Sequence, residues 1–338
     1  MTLMRTLAWV AVGVVAVPVL ALTTLRFAAM AREHETNEEA APKRGRFVRA
    51  GDVSIFVQEA GQAGDTPVLF MHGTGAWSGT WEPTLARLAA AHFHAFAMDA
   101  PPFGFSSRPD DDRYDNEAQA DRILALLDAL HLDRVVLVSH SFGARATVAA
   151  ALRQRERVRH LVLVDAALGL DAAPVPNAPP PPPQEPGVAV RALGIPWLRN
   201  TLVAATAANP LFTRKLVEGF VADPRSVTPE IVALYQAPMH VHGSTEHVGA
   251  WAYAFLTGDD AALRRNVDAL ATSGLRVSLV WGTRDSVTPL AQAEYLHGTI
   301  PDSELVTIDG AGHIPHLEAR DAFHEKLLTI LDRHRQTP

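Results

Sequence analysis

Three side chains of this sequence have the types and the positions that nucleophilic catalysis needs. Ser141 follows an apolar run and leads directly into a helical pattern, Asp285 follows a second apolar run, and His313 follows a third. A serine hydroxyl is a weak nucleophile near neutral pH, so it requires a general base such as histidine. The base in turn requires a carboxylate that fixes its tautomer. The three residues therefore predict acyl transfer to a serine nucleophile.

The elements that carry these residues can be predicted from the chain around them. From Arg46 onward, short runs rich in valine and leucine alternate with helical patterns of about 10–15 residues. This alternation is typical of a mostly parallel sheet covered by helices, so the predicted fold class is α/β. In such a sheet, the loops at the carboxyl ends of the strands carry the chemistry. The eight predicted strands are Arg46–Ala50, Val53–Glu59, Pro67–Met71, Phe93–Met98, Arg134–Ser139, His160–Val164, Arg276–Trp281 and Glu304–Ile308.

The turn around Ser141 has a recognisable pattern. Ser139-His140-Ser141-Phe142-Gly143 leads from a predicted strand into a predicted helix. It resembles a nucleophile elbow, in which a sharp turn lifts a serine hydroxyl above the sheet, although Ser139 replaces the first glycine of the G-x-S-x-G motif. The chain order Ser141, Asp285, His313 is that of the α/β-hydrolase triad. Because of the turn around Ser141 and this chain order, residues 46–335 resemble the α/β-hydrolase superfamily.

The resemblance implies a specific fold and a specific set of site residues. The fold would be a mostly parallel eight-stranded sheet with a helical cap inserted after the sixth strand. The oxyanion hole would be formed by the backbone N–H groups of Phe142 and Thr74, with Gly75 as the alternative to Thr74. Gly75 is also expected to bind substrate. His72, which precedes this loop, is expected to support it by hydrogen bonding. No cofactor and no metal are implied.

Two residues compete with the predicted acid and base. Asp165 ends the sixth predicted strand, from which a carboxylate can also reach the base. We favour Asp285 because its flanking Trp-Gly and the later Pro289 match the family pattern. His316 lies close to His313 in the sequence, but only His313 lies in a Gly-x-Gly-His turn.

The long interval between the sixth and seventh predicted strands predicts an inserted cap over residues 168–262, because loops of this length without structure are uncommon. The cap separates two parts of the hydrolase core, residues 46–167 and 263–338. It opens with a proline-rich segment, residues 174–186, which favours an extended strap. Its aromatic residues, among which we expect Trp197 and Trp251 to bind substrate, favour an apolar acyl or alcohol group.

The amino-terminal segment has the character of a membrane helix. Residues 6–25 carry no charge and would span about 30 Å as a helix, roughly the hydrocarbon thickness of a bilayer. Residues 1–30 are therefore predicted to be a single-pass membrane anchor, of unknown orientation, and residues 31–45 a polar tether. The alternative is a cleaved secretory signal ending at Ala29-Met30-Ala31, which would make the protein secreted or periplasmic.

Composition excludes several other functions. With 30 Lys and Arg against 37 Asp and Glu, the net charge of −7 opposes nucleic-acid binding. The chain contains no cysteine, which excludes disulfides and a thiolate nucleophile. His240, His242 and His247 could be drawn as a metal cluster, but their spacing is not that of a zinc site.

These observations together predict a membrane-associated serine hydrolase that cleaves small carboxylic esters with apolar groups. One alternative is a carbon–carbon bond hydrolase of aromatic ring-cleavage products, in which Arg191 or Arg199 would bind a substrate carboxylate. A second alternative is a non-catalytic receptor with the same fold, which predicts a damaged triad.

Overall fold

The computed structural model describes the backbone of residues 2–170 and 187–335, and the side chains of these ranges from residue 16 to residue 333. The predicted proline-rich strap over residues 174–186 lies outside the described residues.

The described chain forms one eight-stranded sheet. The strands are β1 (Gly45–Ala50), β2 (Val53–Ala60), β3 (Thr66–Met71), β4 (Phe93–Met98), β5 (Val135–His140), β6 (Val158–Val164), β7 (Val277–Gly282) and β8 (Glu304–Ile308). Their order across the sheet is β1-β2-β4-β3-β5-β6-β7-β8. β2 is antiparallel to both β1 and β4, and every other pair is parallel. The prediction of a mostly parallel eight-stranded sheet is therefore confirmed.

Helices cover both faces of this sheet, and further helices form the amino-terminal and carboxyl-terminal segments of the described chain. They are α1 (Thr2–Arg32), α2 (Asn37–Ala40), α3 (Glu82–Ala89), α4 (Asn116–Ala129), α5 (Gly143–Arg153), α6 (Val188–Ala192), α7 (Pro196–Ala205), α8 (Pro210–Glu218), α9 (Pro229–Gln236), α10 (Ser244–Leu256), α11 (Asp260–Thr272), α12 (Leu290–Thr299), α13 (Pro315–Glu318) and α14 (Arg320–Arg335).

The core lies in two layers, one on each face of the sheet. All six residues of β5 are buried, as is typical of a central strand in a parallel sheet that is covered on both faces. Successive side chains of a strand point to opposite faces. Leu137 accordingly packs with Ile123 of α4, whereas Val138 packs with Phe323 of α14 on the other face. This two-sided burial fixes the strand whose end carries the turn at Ser141.

The cap is built from α6 to α10, between β6 and α11. Two apolar clusters hold it on the core. One joins Val217 and Tyr235 of the cap to Ile314, and the other joins Trp251 to Phe142. α11 contacts α5 and buries Val267 in the core cluster of the sheet, so the predicted cap boundary at residue 262 falls inside a core helix.

The second half of α1 packs against the cap. Arg26 Nη1 donates to the carbonyl oxygen of Trp197 at 3.3 Å, and Arg32 Nη2 donates to that of Ala208 at 2.5 Å. The Oε1 of Glu33 accepts hydrogen bonds from the backbone N–H of Thr245, at 3.0 Å, and from its hydroxyl. These contacts attach α1 to α7 and α10.

The predicted transmembrane anchor over residues 1–30 finds no support in the structure. No helix in the described part of the chain is both long and apolar enough to cross a bilayer, and the side chains of residues 2–15 lie outside that part. The second half of α1 makes polar contacts with the cap through Arg26, Arg32 and Glu33. The predicted tether is also packed, since the side-chain amide of Asn37 donates to the carbonyl oxygens of Phe105 and Ser106 at 2.8 and 2.7 Å.

Candidate active site

Ser141 lies in a tight turn between β5 and α5. Its φ of +50° is in the left-handed region, which a residue with a Cβ adopts only when its surroundings enforce it. Backbone hydrogen bonds do so, because Ser141 N donates to the Val164 carbonyl oxygen at 3.0 Å and its own carbonyl oxygen accepts from Ala167 N at 3.1 Å. A Cβ on Gly143 would lie 2.5 Å from the backbone oxygen of His72, so this position requires glycine. The turn has the strained form of a nucleophile elbow.

The residue that departs from the G-x-S-x-G motif lies inside the strand. Ser139 belongs to β5 and pairs with Leu163 of β6 in regular register. The tight part of the turn begins two positions later, at Ser141, so a small side chain at Ser139 is accommodated within the sheet.

The structure brings the three predicted catalytic side chains into one hydrogen-bonded chain. Ser141 Oγ lies 2.8 Å from His313 Nε2, and His313 Nδ1 lies 2.8 Å from Asp285 Oδ2. With Nδ1–H donating to the carboxylate, Nε2 is free to accept the proton of the serine hydroxyl. All three residues are buried, and Ser141 exposes 5 % of its surface. The arrangement has the geometry that makes a serine hydroxyl nucleophilic.

Asp285 is held as a carboxylate by several donors. Its Oδ1 accepts from the backbone N–H groups of Val287 and Thr288, at 2.7 and 3.0 Å, and its Oδ2 accepts from the Thr288 hydroxyl at 2.6 Å. Burial raises the pKa of Asp285, but the hydrogen bonds from His313 and its other donors outweigh burial, so the pKa lies below its usual value.

Asp165, the competing acid, lies beside the carboxylate of Asp285. It makes no hydrogen bond with His313 in the described part of the chain. Its Oδ1 accepts from Gly282 N at 2.9 Å. The carboxylates of Asp165 and Asp285 and the ring of His313 each offer one ligand atom within 4.8 Å of the others, the spacing of a metal site. However, the 2.8 Å contact between His313 and Asp285 is the length of a shared proton, whereas tetrahedral metal ligands lie about 3.3 Å apart.

The two backbone N–H groups predicted to form the oxyanion hole are those of Phe142 and Thr74. Within the described chain, no acceptor lies at hydrogen-bonding distance from the N–H of Phe142, at the start of α5, or from that of Thr74. Gly75 has a φ of +70°, and a Cβ there would lie 3.9 Å from Leu216 of α8, so the tip of this loop reaches the cap. Free N–H groups beside a serine can stabilise negative charge on a substrate oxygen.

His72 supports the oxyanion loop from below. Its Nε2 accepts from Ala100 N at 2.9 Å, so its Nδ1 carries the hydrogen and donates to the Gly73 carbonyl oxygen at 2.8 Å. Burial lowers the pKa of His72 to about 4, which keeps the ring neutral. Asp99 holds the neighbouring loop, accepting from the N–H groups of Ser78 and Phe105 at 2.6 and 2.7 Å.

Two further histidines lie behind the base, and their roles are not apparent from the sequence. His140 Nε2 lies 2.7 Å from the carbonyl oxygen of His313 and donates to it. His316 stacks on Trp81, with ring centroids 4.2 Å apart, and lies 4.8 Å from the His140 ring. Burial lowers the pKa of His316 to about 3, so it is a neutral packing residue rather than a second base.

A contact between the cap and the turn that carries His313 could not be predicted from the sequence. His313 N donates to the carbonyl oxygen of Phe220 at 2.7 Å. Glu318 Oε2 accepts from Gly312 N at 2.7 Å, while its Oε1 accepts from the N–H groups of Ala222 and Asp223 at 2.9 and 3.0 Å. The only sequence signal is a carboxylate shortly after the histidine.

The two tryptophans predicted to bind substrate lie in different places. Trp251 is buried, with its ring centroid 5.2 Å from that of Phe142 and 4.7 Å from that of Phe103. Trp197 is 57 % exposed on the outer side of the cap, where its carbonyl oxygen contacts Arg26. Only Trp251 therefore lies in the buried layer next to the predicted oxyanion donor.

Comparisons with known proteins place this arrangement in a family. The chain is 30 % identical over 292 residues to the 2-hydroxy-6-oxo-2,4-heptadienoate hydrolase of Pseudomonas putida, covering 82 % of this chain and 93 % of that protein. A solved 2-hydroxy-6-oxo-6-phenylhexa-2,4-dienoate hydrolase of Rhodococcus sp. has a TM-score of 0.67 at 22 % identity, with 87 % and 98 % of the two chains covered.

A crystal structure of a bacterial membrane phospholipase A has a TM-score of 0.61 at 22 % identity, and the match covers 99 % of this chain and 98 % of that one. A likeness at this identity concerns the fold. Residues 66–320 match the family model of the alpha/beta hydrolase fold. Together with the sheet order and the elbow, this match shows that the chain belongs to the alpha/beta hydrolase fold family.

Proposed function

We propose that the protein is a serine hydrolase that acts through an acyl-enzyme intermediate. The observation that carries this proposal is the 2.8 Å separation of Ser141 Oγ and His313 Nε2. In the first step Ser141 attacks a carbonyl carbon while His313 accepts its proton, and Asp285 stabilises the imidazolium that forms. The backbone N–H groups of Phe142 and Thr74 donate hydrogen bonds to the developing oxyanion. His313 then protonates the leaving group, and water, activated by the same histidine, releases the acid.

The first candidate substrates are dienoate products of aromatic ring cleavage. The 2-hydroxy-6-oxo-2,4-heptadienoate hydrolase of Pseudomonas putida, which is 30 % identical to this chain, acts on a dienoate, and this supports the carbon–carbon reaction better than the predicted ester reaction. In that reaction the bond between the acyl carbon and its carbon neighbour breaks, and the leaving carbon receives the proton. Such a substrate carries a carboxylate, for which Arg199 is the better of the two predicted partners. It is buried in α7 and bonds Asn200 Oδ1 at 3.3 Å, whereas Arg191 is exposed.

Carboxylic esters with apolar groups are the second candidate. A cluster of buried aromatic side chains, Phe142, Phe103 and Trp251, lies next to the elbow. Phe220 of the cap lies with its ring centroid 5.8 Å from that of His313. Apolar walls of this kind favour an apolar acyl group over a charged one.

A substrate panel separates the two candidates. Turnover of a ring-cleavage dienoate is compared with turnover of acetyl, butyryl and octanoyl esters. Three proteins are measured: the unmodified full chain, the variant Arg199→Gln, and the variant Arg191→Gln as a control. Carbon–carbon hydrolysis predicts dienoate turnover that falls in Arg199→Gln but not in Arg191→Gln. Turnover of esters alone, insensitive to both changes, selects the ester hydrolase. If neither class is turned over and a fluorophosphonate leaves Ser141 unlabelled, the proposal of a serine hydrolase is wrong.

We propose a lipid surface as a partner of α1. The described part of this helix exposes Val17, Leu20, Phe27 and Met30 by 59–69 %, and the adjoining Trp197 is also exposed. Since the opposite side of the helix is attached to the cap, this face can lie in the interfacial region of a membrane. Flotation with phosphatidylcholine–phosphatidylglycerol vesicles tests the proposal. Leu20→Asp/Phe27→Asp should abolish co-flotation, and Leu256→Asp, an exposed site at the end of α10, should not; equal behaviour of both variants contradicts it.

A further inference from the structure

Two carboxyl groups are buried side by side behind the base. Asp165 is fully buried at the end of β6, and Asp285 is 6 % exposed after β7. One carboxylate oxygen of each lies within 4.8 Å of the other and of a ring nitrogen of His313. Two negative charges at this separation in a buried site repel strongly, so the pair holds one proton at neutral pH.

The hydrogen-bond donors around the pair indicate which carboxyl carries that proton. Asp285 accepts from four donors, namely Val287 N, Thr288 N, the Thr288 hydroxyl and His313 Nδ1. Asp165 accepts from one, Gly282 N on Oδ1. Its Oδ2 is buried, and the described residues offer it no donor. A carboxylate with several donors is the stable ionised form, so the charge resides on Asp285 and the proton on Asp165.

The backbone around Asp165 holds its carboxyl in this position. Its φ is +43°, its N–H donates to the Val280 carbonyl oxygen at 3.0 Å, and its own carbonyl oxygen accepts from the Thr288 hydroxyl at 3.2 Å. Thr288 thus contacts both acids. Because a hydroxyl has one hydrogen, the shorter contact of 2.6 Å to Asp285 is its principal hydrogen bond.

We infer that Asp165 is a positioning residue of the triad, a neutral carboxylic acid whose proton is donated to the carboxylate of Asp285. The inference rests on the proposed catalytic role of the triad. A neutral donor fixes the orientation of Asp285 without adding a second charge beside His313. Burial, and then the charge of Asp285, raise the pKa of Asp165 well above its usual value, in agreement with this assignment.

Infrared spectroscopy tests the position of the proton without any substrate. The full-length protein at neutral pH should show the carbonyl stretch of a protonated carboxylic acid that is missing from Asp165→Asn. Glu33→Gln, which removes another buried carboxyl at the contact between α1 and the cap, should leave that band in place. An identical carboxylic-acid region in wild type and Asp165→Asn would show that Asp165 is ionised and would overturn the inference.

Activity variants test the donor role. Asp165→Asn keeps a donor for Asp285 and an acceptor for Gly282 N, whereas Asp165→Ala keeps neither. Loss of a hydrogen bond to a charged group predicts that Asp165→Ala lowers the rate of Ser141 labelling by a fluorophosphonate about 10- to 100-fold, with Asp165→Asn recovering most of it. Thermal melting shows whether each variant is folded. Equal losses in the two folded variants would overturn the donor role. An unlabelled wild-type serine would count against the proposed function instead, and the infrared result would still stand.

Discussion

The side chain of His140 donates a hydrogen bond to the backbone carbonyl oxygen of His313 at 2.7 Å. The residue immediately before the predicted nucleophile therefore fixes the backbone of the predicted base, which lies on another strand end. Burial and the neighbouring His316 and His313 lower the pKa of His140 well below its usual value, so the ring is neutral and keeps its donor. The elbow and the histidine turn are thus coupled by structure as well as by the serine–histidine contact.

Replacement of Ser141 by alanine should abolish turnover. Removal of the nucleophile of a triad lowers kcat by about 10⁶-fold in other hydrolases, and labelling by a fluorophosphonate should disappear with it. Ser139→Ala is the matched control, since the hydroxyl of Ser139 is buried and has no partner among the described residues. Mass spectrometry of the labelled peptide gives the readout. Label on a serine other than Ser141 would contradict the assignment.

Replacement of Trp251 by alanine should change the preference for acyl length. Its buried ring packs beside Phe142, so its removal leaves space for a larger acyl group. The ratio of kcat/KM for octanoyl over acetyl ester, or for the larger of two dienoates, should rise about tenfold. Trp197→Ala, at the exposed position on the outside of the cap, should leave the ratio unchanged. If only the Trp197 variant shifts it, the pocket lies on the other side of the cap.

Replacement of Glu318 by glutamine should loosen the contact between the cap and the histidine turn. The carboxylate accepts three backbone N–H groups, and an amide can accept on only one of its two ends. The loss of a hydrogen bond to a charged group should lower the free energy of unfolding by about 1.5–3 kcal/mol. The value of kcat should also fall, because His313 loses its fixed position. Glu325→Gln, exposed on α14, is the control. Urea unfolding and steady-state kinetics measure both effects, and an unchanged stability would reject this role.

Replacement of His316 by phenylalanine should reduce the sensitivity of the fold to acid. His316 has a pKa of about 3 in the folded protein against 6.5 for the unfolded chain, so below pH 6.5 the unfolded state binds a proton that the folded state does not. The wild type therefore loses about 1.4 kcal/mol per pH unit from this residue as the pH falls towards 3. The phenylalanine variant retains the stacking on Trp81 without this loss.

The measurement compares the free energies of unfolding of the two proteins at pH 7, 6 and 5. Burial raises the pKa of Asp99 to about 6, so this group stabilises the fold as the pH falls over part of the same range. Asp99 is present in both proteins, so its contribution cancels when their free energies of unfolding are compared. Exposed His34→Phe serves as the control. Parallel curves for wild type and His316→Phe would contradict the prediction.

The sheet and the triad could be predicted from the sequence because both depend on local signals. The buried strands are apolar runs bounded by turns, and they begin and end within two residues of their predicted positions. The three catalytic candidates lie within five residues of the ends of such strands, and parallel strands bring their carboxyl ends to one edge. The preference for Asp285 over Asp165 also agrees with the hydrogen bonding of His313.

Contacts between distant segments could not be predicted in this way. Glu318 is an ordinary carboxylate in the sequence, and its role becomes apparent only when residues 222 and 223 of the cap lie beside it. Likewise, the apolar run at the amino terminus indicates a membrane helix, but the polar contacts of Arg26 and Glu33 that attach α1 to the cap depend on tertiary folding. The exposure of Trp197 follows from the same packing, which a single sequence does not specify.

The attachment of α1 has a practical consequence for recombinant work. A shortened protein that starts after residue 33 would lack Glu33, and the backbone N–H and hydroxyl of Thr245 would lose their acceptor at the start of α10. Trp251 belongs to that same helix. Catalytic rates and substrate preferences measured with such a truncated enzyme would therefore describe a cap that lacks one of its hydrogen-bonded contacts.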